Sequence, residues 1–183
     1  MRHQHLCRLI EQLEALEAYR KDLRRHITSL LLQSPQAEYL LSVPGVGIIT
    51  AASLLGMCGD LRRYESSSQL EKFMGLNLYD LSSGRYRGKL HISKRGNEVA
   101  RCALFLASTG QMRKGRLYYA YTCRQKEKGQ PGKKIQIAIA RKLLKLLYSL
   151  VKREEKFEGR RFYRELKAGD DRSQIKGMRL MAA

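Results

Sequence analysis

Residues 75–101 read GLNLYDLSSGRYRGKLHISKRGNEVAR, and the fold turns on how this stretch is understood. Between 78 and 92 the pattern alternates only in part. Tyr86, Gly88 and Leu90 interleave with Arg85, Arg87 and Lys89. The segment is too rich in glycine and charge for a core helix, so it predicts an extended basic loop or a small hairpin. Lys94-Arg95-Gly96-Asn97 reads as a turn, with Asn97 capping the next helix. Ser82-Ser83-Gly84 is a second turn. Six cations or imidazoles follow it (Arg85, Arg87, Lys89, His91, Lys94, Arg95) before the first acid, Glu98. A hydroxyl among fixed cations suits attack on a phosphodiester, since arginine can hold phosphate oxygens in two-pronged contact. Ser-Gly is also a common turn signal, and the residues by themselves leave both possibilities open.

Everything around this stretch predicts helix. Upstream, Leu6, Leu9, Leu13, Leu16, Leu23, Ile27 and Leu30 recur three and four apart, with Arg20 in the one polar slot. That period predicts a coiled-coil-like helix over 1–34, suited to self-association or to spacing domains. Ser34-Pro35 ends it. A short helix to about Leu41 then leads into SVPGVGIITAASLLG, which predicts a helix-hairpin-helix over about 38–59. Glycines in Pro44-Gly45-Val46-Gly47 let the backbone turn tightly and approach a phosphate. The amides opening the second helix would then face that phosphate without reading any base. A plain structural turn is the alternative. Ser66 or Ser67 is placed to cap a short helix carrying Leu70, Phe73 and Met74, which Gly75 stops.

Downstream, a helix over about 98–113 is expected to bury Val99, Cys102, Ala103, Leu106 and Ala107. Residues 116–128 read as a further helix. Gly129-Gln130-Pro131-Gly132 marks a loop. A long helix from Lys133 to about Glu155 carries one apolar stripe: Ile135, Ile139, Leu143, Leu146 or Leu147, and Leu150. After 156 the chain becomes a basic tail. The expected organisation is thus mainly α: an arm over 1–34, a helical domain over 35–155 whose Ser-Gly loop covers about 76–97, and a tail over 156–183.

Lys and Arg total 36 against 17 Asp and Glu, a formal charge of +19 across 183 residues. Such an excess points to a polyanion, nucleic acid before membrane surface, and away from small-molecule metabolism. The four cysteines lack C-x-x-C spacing, so zinc and redox motifs find no support. Each is expected to be a small buried hydrophobe. His3 and His5 have no further ligands nearby, and no metal site is expected in this chain. The polar N-terminus predicts no signal peptide, and no apolar run reaches membrane-spanning length. A cytoplasmic protein fits these features.

VPGVGIITAASLLG (43–56), GLNLYD (75–80), SSG (82–84), ISKRGNEVAR (92–101) and AIARKLLKLLY (138–148) occur in that order. Together they resemble the C-terminal transposase domain of the invertase-like (Piv-related, insertion-sequence one-ten group) transposases, also described as bridge-RNA-guided serine–DEDD recombinases. The resemblance covers about 38–151. It implies DNA transposition by a serine nucleophile, which falls on Ser83, with Ser82 beside it. The residues themselves nominate DNA contacts at Pro44, Gly45, Val46 and Gly47 in the glycine turn and at Gly84, Arg85, Arg87, Lys89, Lys94, Arg95 and Arg101 around the Ser-Gly turn. The resemblance also implies a structured guide RNA as partner, and a RuvC-like domain whose four acids hold a divalent metal such as magnesium. Here the acids Asp60, Glu65, Glu71 and Asp80 are scattered, and Leu78 stands where the family usually has proline. The expectation is a truncated or split transposase that requires a partner chain for recombination. A non-catalytic module binding DNA or guide RNA is the alternative.

Overall fold

The computed structural model describes residues 2–79 and 91–159. Seven helices and one two-stranded ribbon follow in order: α1 (Arg2–Leu32), α2 (Ala37–Leu41), α3 (Ile48–Cys58), α4 (Ser67–Phe73), β1 (Leu78–Tyr79), β2 (His91–Ile92), α5 (Glu98–Gln111), α6 (Tyr119–Glu127) and α7 (Gly132–Arg153). A 3₁₀ turn, Leu61–Arg63, joins α3 to α4. The mainly helical expectation holds, and the ribbon lies within the predicted basic loop or hairpin.

The core is built on α7. Ile135, Ile139, Leu143, Leu147 and Leu150 form its buried stripe, widened by Ala140, Leu144 and Val151. Its lysines and arginines stand off that face, as an amphipathic helix requires. Helices α3 and α5 pack on one another, and α5 packs on α7. Leu54 and Ala51 from α3 and Leu104 and Ala100 from α5 are fully buried between them. Gly59 (φ +67°) ends α3 and Gly75 (φ +66°) follows α4, both in the left-handed region that glycine adopts without a Cβ penalty. Ser66 caps α4 through the Gln69 N–H, 3.3 Å away.

Residues 60–64 are lashed to the far end of α7. Arg62 pairs with Asp60 at 3.1 Å and with Glu154 at 2.9 Å. The Arg62 guanidinium, hydrogen-bonded to Asp60, holds that carboxyl below its usual range. Lys152 Nζ donates to Arg62 O at 2.6 Å, and the Tyr148 hydroxyl donates to Tyr64 O at 2.8 Å. One carboxylate lies inside the bundle. Glu71 receives Arg141 at 2.8 Å and faces Lys145 at 3.5 Å.

Two expectations are corrected. Helix α5 buries Ala100, Leu104, Ala107, Ser108 and Gln111, whereas Val99, Cys102 and Leu106 are exposed. The apolar count favoured the other face; the buried face instead sets Ala100, Leu104 and Ala107 into the packing with α3 and α7 and seats Gln111 on Pro44 O. Burial of all four cysteines fails as well. Cys58 is buried, and loss of solvent raises its thiol to about 11. Cys7 and Cys102 are exposed, and Cys123 is half-buried.

Helix α1 touches the bundle only near its C-terminal end, where Leu31 is buried. Most of its apolar repeat stays in solvent: Leu6, Leu9, Leu13, Leu16 and Leu23 are 57%, 48%, 60%, 68% and 42% exposed.

Candidate nucleic-acid interface

Helix α5 organises two sites, one at each end. At its amino end, two strings of backbone clasp each other. Leu78 pairs with Ile92 and Tyr79 with His91, antiparallel. Continuing from that ribbon, Ser93 N donates to Asn77 O (2.9 Å), Lys94 N to Gly75 O (3.0 Å) and Asn97 N to Phe73 O (2.9 Å). Ser93 Oγ donates to Asn77 Oδ1 at 2.6 Å. The strings lie so close that a side chain cannot fit between them. A Cβ on Gly96 would overlap Phe73 O and Gly75 N, and one on Gly75 would meet Lys94 C at 2.8 Å. The predicted roles of Asn97 and Gly96 thus have definite forms. Asn97 caps α5 through the Ala100 N–H at 3.0 Å, and Gly96 permits close approach of backbone to backbone.

The clasp pairs Tyr79 with His91, the described residues on either side of 80–90. Ser82, Ser83, Gly84, Arg85, Arg87 and Lys89 fall inside that span and lie outside the described residues. Three other nominated residues are on the clasp. Lys94 and Arg95 are exposed. Lys94 sits at φ +54°, a conformation that costs an L-residue energy. Arg101 Nη1 donates to Met74 O (3.0 Å) and Lys94 O (3.2 Å), so it braces the clasp.

The carboxyl end of α5 holds the Pro44–Gly47 turn. Gln111, fully buried, donates from Nε2 to Pro44 O at 2.6 Å. Gly45 has φ +86°, and a Cβ there would stand 2.6 Å from Gln111 Nε2. Pro44, Gly45 and Gly47 are exposed. Val46 turns inward, 6% exposed, and its N–H bonds to Val43 O at 3.0 Å, so neither its side chain nor its amide faces a ligand. Helix α3 starts at Gly47 with no side-chain cap, leaving its first amides open to solvent or to an anion.

The structure therefore separates residues that the sequence grouped. Asn97 and Gln111 are fourteen residues apart on one helix, which places the clasp and the turn roughly 20 Å from each other. Beyond Gln111 the chain carries a basic stretch that the motif reading passed over. Gln136, in the first turns of α7, donates to Phe105 O at 3.0 Å in the middle of α5 and to Thr109 Oγ1 at 2.5 Å in its last turn. Arg113, Lys114, Arg116 and Lys128 between the helices, and Lys133 and Lys134 in the first turn of α7, are all exposed. Residues 112–134 hold eight Lys or Arg and one acid, Glu127. Gly115 (φ +79°) and Gly129 (φ +70°) have open space where a Cβ would point. That local charge count is the signal that would have found the stretch. Among the described residues, no group of three or more His, Cys, Asp or Glu is placed to hold a metal ion, and no helix is long and apolar enough to cross a membrane.

Comparisons with known proteins bear on the same region. Residues 37–122 match the profile described as "Transposase IS116/IS110/IS902 family". An "Insertion element IS110 uncharacterized 43.6 kDa protein" of Streptomyces coelicolor is 29% identical over 152 residues, 83% of this chain and 38% of that protein. A "Transposase for insertion sequence element IS1328" of Yersinia enterocolitica is 33% identical over 120 residues, 63% of this chain and 34% of that protein. A "Pilin gene-inverting protein" of Moraxella lacunata is 29% identical over 144 residues, 75% of this chain and 45% of that protein. The chain spans less than half the length of each of these relatives. The matches support the IS116/IS110/IS902 transposase family.

Proposed function

We propose that this chain is a DNA-binding transposase segment that grips the duplex backbone at two places and presents a serine to it. The observation that carries this is the placement of two basic surfaces at opposite ends of α5. One is the Pro44–Gly47 turn, held by Gln111 at the carboxyl end of α5, after which exposed Arg113, Lys114 and Arg116 follow in the chain. The other is the clasp, with exposed Lys94 and Arg95, which pairs Tyr79 with His91 on either side of the basic segment 80–90. The turn is read as a helix-hairpin-helix contact in which backbone amides meet phosphate, so binding is indifferent to sequence.

Ser83 is the proposed nucleophile. Its hydroxyl gives up a proton, its oxygen bonds to phosphorus, and the bond from phosphorus to the departing sugar oxygen breaks. One phosphoester replaces another, so the covalent link can be reversed onto a new strand without an external energy source. Arg85, Arg87 and Lys89 are the nearest cations in sequence to offset charge developing on the phosphate oxygens. A divalent metal held by a RuvC-like acidic domain is the proposed cofactor for exchange, and a structured guide RNA is the competing ligand.

The binding test is fluorescence anisotropy with a random-sequence duplex across a salt series. Affinity should fall steeply with salt, by a slope of about 0.9 per phosphate contact on a log–log plot. Binding indifferent to salt would sink the DNA reading. Displacement of duplex by structured RNA at much lower concentration would replace it with an RNA-binding role. For chemistry, Ser83→Ala and Ser82→Ala are compared in a strand-exchange assay, with and without a RuvC-like domain. Only Ser83→Ala should abolish exchange and the covalent protein–DNA species.

A further inference from the structure

Among the described residues, Glu71 is the buried carboxylate, 3% exposed, and the proposed chemistry does not use it. It sits on α4 and meets two cations of α7. Arg141 donates from Nε (3.2 Å) and Nη2 (2.8 Å) to the same oxygen, Oε2. The other oxygen, Oε1, has no hydrogen-bond partner and faces Lys145 Nζ at 3.5 Å. The side chains of Arg141 and Lys145 are 25% and 52% exposed, so both reach solvent from this buried anchor. Leu76 N donates to Glu71 O at 2.9 Å, and Lys94 N to Gly75 O at 3.0 Å, so α4 leads from the cluster directly into the clasp. We infer that Arg141 and Lys145 form a seat for a phosphodiester of the duplex backbone, with Glu71 as the positioning residue that holds both. The inference rests on the DNA-binding reading and adds a further contact to those at the two ends of α5.

A brace between α4 and α7 accounts for one cation, not two. Arg141 alone neutralises Glu71, and an arginine pairs best with a carboxylate when its two N–H groups meet both oxygens. Here both go to Oε2, which leaves Oε1 to the lysine and leaves Arg141 Nη1 without a hydrogen bond among the described residues. Buried ion pairs also add little net stability, because the loss of water offsets their attraction. What the arrangement does achieve is to fix two cations in place. A free surface lysine loses rotamer freedom when a phosphate holds it, whereas one already drawn to a buried carboxylate has given up part of that freedom. Arg141, held by two donors, keeps Nη1 for an anion. The charges also match the ligand. Two cations and one carboxylate leave a single positive charge, and a phosphodiester brings a single negative one.

The experiment measures duplex anisotropy across a salt series for Glu71→Gln, Arg141→Lys and Lys145→Gln, each first shown to be folded by circular dichroism and urea denaturation. Lys21→Gln, which removes an exposed cation of α1, is the control. Glu71→Gln raises the formal charge by one, so charge alone would tighten binding; loss of the anchor should weaken it at every salt concentration. Arg141→Lys keeps the charge but not the planar fork, and should weaken binding as well. Lys145→Gln should lower the log–log salt slope by about 0.9, the share of one phosphate, while Lys21→Gln leaves the slope as it was. Glu71→Gln binding as tightly as the unaltered chain, or more tightly, overturns the seat. So does a slope change in Lys21→Gln equal to that in Lys145→Gln. If Glu71→Gln does not fold, Arg141→Lys decides, and affinity equal to that of the unaltered chain overturns the seat. In all these results the unaltered chain still binds duplex with a steep salt dependence, and the DNA reading stands. An unaltered chain indifferent to salt removes that reading, and the seat with it.

Discussion

The two ends of α5 are held by different means, and they should tolerate change differently. At the amino end, backbone meets backbone, with glycine at the contact because no side chain fits. At the carboxyl end, a side chain meets backbone: one amide of Gln111 reaches Pro44 O across a small gap. A backbone contact cannot yield without moving whole elements, whereas a side chain can rotate away. The clasp should therefore behave as rigid and unforgiving, and the turn as adjustable.

Gly96→Ala is the most severe way to break this contrast. The added methyl would strike Phe73 O and Gly75 N, both main-chain atoms. Urea denaturation should show a loss of about 3 kcal/mol, the upper end of what enforced overpacking typically costs, because the atoms struck are main-chain. A loss below about 1 kcal/mol would mean that the clasp is no more rigid than the turn.

The carboxyl end sharpens the comparison through a double-mutant cycle. Gln111→Ala removes one hydrogen bond to a turn that water can also reach, and should cost about 1 kcal/mol. Gly45→Ala should cost about 2 kcal/mol, from its positive φ and from the displaced Gln111 amide together. Part of that second penalty should vanish when Gln111 is already alanine, leaving a coupling of about 1 kcal/mol. Strict additivity in denaturation would show that Gln111 does not hold the turn.

The smallest effect separates stability from binding within the clasp. Lys94 holds φ +54° at the cost of strain, so Lys94→Gly should stabilise the fold by about 0.5–1 kcal/mol. The same change removes an exposed cation. Duplex affinity should fall and its salt slope should shrink by about one contact. If affinity is unchanged while stability rises, the amino end of α5 carries structure but no phosphate.

Much of this arrangement was legible from local pattern. The stripe from Ile135 to Leu150 predicted α7 and its buried face, because a 3.6-residue period of large aliphatic side chains leaves one way to hide them. Asn97 and Ser66 declared two helix starts through their capping chemistry. Helix α5 was less transparent. Its buried face includes Ser108 and Gln111, and a reading by hydrophobicity discards such a face. Gln111 is acceptable inside because its amide has a partner 67 residues away in sequence. Arg101 was nominated for phosphate because it is an arginine beside other cations. Its guanidinium braces two carbonyls that only the folded clasp brings within reach.

By itself, the sequence determined what kind of element forms at each place, where the helices start and stop, and that the chain is strongly cationic. Those properties depend on neighbours a few residues away and on composition. Tertiary structure decided which face of α5 is inside, that 73–77 and 92–101 lie against each other, and that the glycine turn is held at the far end of the same helix. These follow from packing among segments distant in sequence, where a single hydrogen bond or the absence of a Cβ selects one arrangement from several that local pattern allows.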